Sequence, residues 1–159
     1  MATSGTVVQI SVSKGGVPKR AVERAWMDVL GLEGDRHNDR VGHGGPERAV
    51  CLMAMEVLEK LQREGHQVLP GMLGENVTVR GLDWSQVKPG DRLQIGSGLV
   101  EVTRYTTPCK NVAYAFNDRD FTRVLHTKNP GDARVYAKVV EPGELVTGMA
   151  VAHLPKETG

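Results

Sequence analysis

The chain has two cysteines, and only one of them has the surroundings of a reactive thiol. Cys109 sits in Thr103-Arg104-Tyr105-Thr106-Thr107-Pro108-Cys109-Lys110-Asn111, directly after the strand-like run Leu99–Thr103. Pro108 lacks the N–H that a sheet ladder needs, so the chain is expected to leave the sheet just before the thiol. Lys110, and Arg104 if the loop folds back, are the kind of cationic neighbours that activate a thiol. Cys109 is therefore the candidate catalytic residue, as a sulfur carrier or as a metal ligand. The competing reading is an ordinary buried cysteine at a strand end. Cys51, between Val50 and Leu52 with no adjacent charge, is expected to be an inert core thiol.

Two further stretches carry polar chemistry. Gly31–Arg48 is a long polar loop with Asp35, Arg36, His37, Asp39, Arg40, His43 and Arg48 set among glycines. Long irregular loops in compact domains are usually functional or disordered, and this density of charge and imidazole favours function. The two histidines and two aspartates match no closed zinc motif, and charges that merely pair with one another in solvent are the simpler reading. Anion binding is the better functional reading. Arg36, Arg40 and Arg48, with His37 and His43, can hold a phosphate or carboxylate by guanidinium forks and glycine N–H groups. The second stretch, Leu69-Pro70-Gly71-Met72-Leu73-Gly74-Glu75-Asn76, leads into a strand; the Asn76 amide either ties the loop backbone or reaches a ligand.

The elements that must position these groups are short. Nineteen glycines and eight prolines punctuate the whole chain, a pattern that points to a mainly β fold, a barrel with frequent turns and a few short helices. Expected strands are Thr6–Val12, Ala21–Val29, Ala49–Met53, Val77–Val79, Arg92–Gly96, Leu99–Thr103, Ala133–Val140 and Val146–Leu154, the last interrupted at Gly148. The segment Ala21–Val29 alternates poorly and is assigned to strand on its brevity and flanking turns. Ala54–Glu64 is the clearest helix, with Met55, Val57, Leu58 and Leu61 on one stripe and Gly65 as its stop. Phe116-Asn117-Asp118 reads as a helix start and Asp120–His126 as a short helix with Phe121, Val124 and Leu125 inward.

Length and composition bound the function. At 159 residues the chain is expected to be a single domain, residues 1–159. Apolar and charged fractions of 40% and 25% are those of a soluble globular protein. Aromatics at 4% and a net charge of +1 offer neither a base-stacking surface nor an electrostatic footprint, so no nucleic-acid or membrane partner is expected. Two cysteines without CxxC spacing, and a start lacking a signal-peptide pattern, fit a cytoplasmic location.

Taken together and in order, Gly31-Leu32-Glu33-Gly34-Asp35-Arg36, His43-Gly44-Gly45 with Arg48-Ala49-Val50, Pro70-Gly71 with Gly74-Glu75-Asn76, Pro89-Gly90-Asp91, and Thr107-Pro108-Cys109 resemble the MOSC domain, named for the C-terminal domain of molybdenum cofactor sulfurase. The resemblance runs from about Val7 to about Val151. It implies a β-barrel core over 7–151 and a stand-alone module that binds molybdenum cofactor (molybdopterin). By position, Cys109 matches the family cysteine that carries sulfur as a persulfide or contacts molybdenum. Asp35, His43 and Asn76 match family motif positions, and Arg36 and Arg48 would help hold the anionic cofactor. Some single-domain relatives resemble molybdenum-dependent oxidoreductases that reduce N-hydroxylated compounds, including base analogues. Such an enzyme takes a small-molecule substrate and needs an electron-transfer partner. The alternative is a non-enzymatic sulfur or cofactor carrier, served by a cysteine-desulfurase-type partner. A third reading is a zinc hydrolase built on His37 and His43.

Overall fold

A computed structural model describes residues 3–36 and 45–157. Among these residues eleven strands follow one another: β1 (Thr3–Val12), β2 (Arg20–Val22), β3 (Arg24–Asp28), β4 (Gly31–Leu32), β5 (Val50–Ala54), β6 (Val77–Arg80), β7 (Arg92–Ile95), β8 (Gly98–Tyr105), β9 (Val135–Glu141), β10 (Gly143–Val146) and β11 (Ala150–Leu154). Among the described residues one α-helix, α1 (Met55–Arg63), lies between β5 and β6. Seven strands close into a barrel in the order β11-β7-β8-β9-β5-β6-β1, with β1 returning to pair with β11. β2 adds to the far half of β1, through Ile10–Val12. β10, β3 and β4 form a separate three-stranded sheet.

An odd ring of strands cannot alternate direction all the way round. The one parallel junction is β5–β6, where Leu52, Met53 and Ala54 face Val77, Thr78 and Val79. Parallel neighbours need a crossover, and α1 supplies it. The helix packs on the barrel through Val57, Leu58 and Leu61, all buried, as the apolar stripe requires. Each such leucine contributes about 1.5–3 kcal/mol on burial. Gly65, at φ 100°, takes the left-handed conformation that ends the helix, and its N–H donates to Gln62 O at 3.0 Å.

The barrel interior is filled by Ile10, Leu52, Val77, Val79, Leu93, Ile95, Val100, Val102 and Val135, each 1% exposed or less. A polar clasp closes one seam. Asp91, fully buried in the turn before β7, faces His153 Nε2 at 2.8 Å and accepts the N–H groups of Lys88 (3.1 Å) and Lys156 (2.8 Å). Burial pushes this carboxyl up, but the donors from Lys156, His153 and Lys88 outweigh it and hold it below the usual carboxylate range.

Four expected elements differ. The closing strand expected over Val146–Leu154 is split: Val146 ends β10 in the three-stranded sheet, and Ala150–Leu154 alone forms β11. The single strand expected over Ala21–Val29 breaks at Glu23, and its halves join different sheets. The alternation restarts there, which is why no one period runs through the segment. Phe116 does not start a helix; it follows a 3-10 helix, Lys110–Ala115. The short helix expected over Asp120–His126 is the 3-10 turn Phe121–Val124, capped by Asp120, whose carboxylate accepts Thr122 N–H at 3.1 Å. Among the described residues no helix is long and apolar enough to cross a membrane.

Candidate functional site

β8 runs to Tyr105, two residues beyond its expected end. Thr106 N–H then donates to Arg134 O at 2.9 Å, so the chain stays beside the β9 approach before turning away at buried Pro108. Cys109 follows in extended conformation, its carbonyl accepting Val112 N–H at 3.1 Å as the 3-10 helix begins. This places the half-buried thiol on the wall of a cleft of about 400 Å3. Lys19, Arg36, Cys51, Gly74, Asn76, Thr106, Arg134 and Tyr136 line the same cleft.

Asn76 is the junction of the site. Its Oδ1 accepts Cys51 N–H at 3.0 Å, and its Nδ2 donates to Ser11 O (3.2 Å) and Asp35 Oδ2 (2.9 Å). Its backbone N–H donates to Cys51 O at 2.7 Å, and its carbonyl accepts Ser11 N–H at 2.8 Å. One residue thus knits β1 and β5 at the entry to β6, which is the structural role open to it from sequence. Asp35 lies behind the wall. Its carboxylate accepts Ser13 N–H at 2.9 Å and grips Lys19 Nζ at 2.7 and 2.9 Å, and both side chains are nearly sealed from solvent. Asp35 therefore orders Lys19 and Asn76, two residues that do face the cleft.

The remaining candidates divide. Arg36 lines the cleft with an exposed side chain, its backbone N–H held by Ser13 O at 2.7 Å. Arg48 ends the 3-10 turn Pro46–Arg48 and lies over the Tyr136 ring, 5.9 Å from its centre, so it reaches the site through a wall residue. His43 lies outside the described residues, as do His37, Asp39 and Arg40. Among the described residues no group of three or more His, Cys, Asp or Glu side chains could hold a metal ion.

Cys51 is buried, 5% exposed, with Sγ 3.8 Å from Thr106 Oγ1. Burial pushes its thiol up, against the opposing pull of Arg134. It is a neutral thiol, yet it forms part of the cleft wall. Sequence reasoning missed Lys19, Arg134 and Tyr136. The available signal was the run Arg134-Val135-Tyr136, in which residues two apart share a face. Tyr136 is 8% exposed, and burial pushes its phenol up to about 12.

Arg134 is the unusual member. It is 6% exposed, its Nη1 donates to Leu73 O, and its Nε has no partner. Three cationic side chains, Lys19, Arg36 and Arg134, line the cleft, and no carboxylate stands among its described lining residues.

The sequence profile of the MOSC domain matches residues 39–152. The chain belongs to the MOSC domain family. It is 33% identical to Protein YiiM of Escherichia coli over 124 residues, 75% of this chain and 54% of that protein. It is 32% identical to the protein YflK of Bacillus subtilis over 135 residues, 84% of this chain and 60% of that one. The MOSC chain described here thus spans little more than half the length of these relatives. Its fold matches the crystal structure of the YUAD protein of Bacillus subtilis with a TM-score of 0.75 at 17% identity, covering 98% of this chain and 99% of that one.

Proposed function

We propose that this MOSC protein binds molybdenum cofactor in the cleft and reduces N-hydroxylated compounds, base analogues among them. The observation that carries the reading is a half-buried thiol and a buried guanidinium with an unpartnered donor, lining one cleft that holds no described carboxylate. The cofactor is an anionic, phosphate-bearing dithiolene, and these residues fit it. The cleft volume falls in the range of about 300–1,000 Å3 used by small-molecule sites. Cys109 supplies a soft sulfur ligand. Arg36 and Arg134 supply positive charge, and Thr106, Thr107 and Asn111 supply further polar groups. When bound, the cofactor contributes the redox-active metal. The protein's own part is to seat it, to present the Cys109 sulfur, and to keep the inner wall dry with Cys51, Leu73 and Val112. Electrons come from a redox centre outside these 159 residues, because their two cysteines cannot ligate an iron–sulfur cluster of the usual four-thiolate kind.

The accessibility of Cys109 favours a second reading, a carrier that takes a persulfide from a desulfurase-type partner and hands it on. Expression in a host that makes the cofactor separates the two. For the reductase, purified protein retains molybdenum and pterin and turns over an N-hydroxylated purine with an electron donor; Cys109→Ser loses the turnover. For the carrier, Cys109 takes up persulfide and no turnover occurs. Equal metal, pterin and turnover in wild type and Cys109→Ser would remove Cys109 from either role.

A further inference from the structure

Arg134 carries a charge that no carboxylate among the described residues meets as a close ion pair. Of the five donors in its guanidinium, one is bound to Leu73 O, and Nε is buried without a partner. It forms no ion pair among the described residues. The titratable groups that face it are Glu75, Cys51 and Tyr136; burial pushes each of them up, against the opposing pull of Arg134 itself. Glu75, fully buried, leaves its own Oε1 unpartnered. A buried cation without a counter-ion is costly, and structures keep one only where something compensates it.

The surroundings are built to hold that guanidinium still and to leave space before it. Thr106 N–H binds Arg134 O at 2.9 Å, and Trp84 Nε1 donates to Ala133 O at 2.7 Å, so the backbone is gripped on both sides. Gly74 stands opposite at φ 86°, and a Cβ there would lie 3.2 Å from Val17 Cγ1 and 3.9 Å from Arg134 Nη1. A side chain at this position would fill the gap between the Val17 loop and the guanidinium; glycine leaves it open.

We propose that Arg134 is an oxyanion subsite on the inner wall of the cleft, receiving a phosphate or carboxylate group of the bound molecule through its free guanidinium donors. The subsite rests on this cleft being the ligand site, and it adds a residue and a chemical class to that reading. Charge-assisted bonds from a guanidinium are the strong ones, and the anion supplies the close ion-pair partner that no described residue gives.

Inorganic phosphate is the probe, added to the full chain at constant ionic strength. Phosphate is expected to raise the midpoint of thermal unfolding of the wild type and to move the Arg134 Nε–H resonance in 15N-labelled protein. Arg134→Gln should lower phosphate affinity by about 10- to 100-fold. Without phosphate its own midpoint should equal or exceed that of wild type, because an uncompensated buried charge has gone. Arg134→Lys, which keeps the charge and loses the fork, should fall between them. No phosphate-dependent change at Nε–H, or an equal phosphate effect in Arg134→Gln, would overturn the subsite. A clear fall in the phosphate-free midpoint of Arg134→Gln would also overturn it, by making Arg134 a structural cation. Molybdenum and pterin contents then identify the anion's source. Loss of pterin from Arg134→Gln assigns the cofactor phosphate. Unchanged pterin with a raised KM for an anionic substrate, but not for its neutral analogue, assigns the substrate. A wild type that holds no pterin refutes the cofactor reading and leaves the phosphate titration intact as a test of Arg134.

Discussion

Replacing Asp35 by alanine should destabilise the protein as a buried-pair lesion. The carboxylate is 1% exposed as a side chain and the Lys19 side chain 8%. It accepts Lys19 Nζ at 2.7 and 2.9 Å, Ser13 N–H at 2.9 Å and Asn76 Nδ2 at 2.9 Å. Its removal leaves the ammonium without that counter-ion and strips an acceptor from two more donors. Removing one partner of a buried pair costs about 3–5 kcal/mol. In a chain of this size each kcal/mol lowers the unfolding midpoint by about 2–4 °C. Urea unfolding followed by circular dichroism measures the loss, which should appear in the transition midpoint with the slope unchanged. Lys19→Met should relieve part of the damage, so that the double variant Asp35→Ala/Lys19→Met is more stable than the two single effects predict. An Asp35→Ala chain within about 1 kcal/mol of wild type, or strict additivity in the cycle, would refute the scaffold role and return Asp35 to the list of direct ligand contacts.

Asp91 makes an acid-side prediction. Its carboxyl is depressed in the fold, so its stabilisation is complete above the unfolded value of about 3.9 and is lost as pH falls through the lower folded value. Asp91→Asn should flatten the stability profile on that acid side, read by urea midpoints at successive pH values. The two thiols should react differently: iodoacetamide labels Cys109 in the native chain, and Cys51, 5% exposed and kept neutral by burial, only after unfolding, as peptide mass mapping would show. Leu58→Ala should cost about 2–5 kcal/mol in the same urea assay, because Leu58 is fully buried where α1 crosses the barrel.

The fold was legible where one local rule decided the outcome. The stripe of Val57, Leu58 and Leu61 with Gly65 behind it defined α1 to within a residue at each end. The order of the glycine-rich motifs carried the family, and with it the barrel. The site was legible only in part. Cys109 declared itself by its neighbours, and Asn76 by the turn residues before it. Arg134 left only the alternation of Arg134-Val135-Tyr136 as a signal and Lys19 none, because what distinguishes them is three-dimensional: one has no close ion pair among the described residues and the other has Asp35, and both lie in connecting segments that the fold brings together. Asp35 shows the converse. Its motif marked it for a ligand, while in the fold its carboxylate grips Lys19 and Asn76 from behind the cleft wall.

The pairing of β1 with β11 has a kinetic meaning. Thr3 faces His153 across the closing seam, so the barrel cannot complete until nearly the whole described chain has left the ribosome. Until then β1 has one open edge, and the Asp91–His153 clasp cannot form. Closing so long a loop before its contacts reward it places the protein among slow, high-contact-order folders. The exposed edge is also the segment most at risk of pairing with a second nascent chain during that wait.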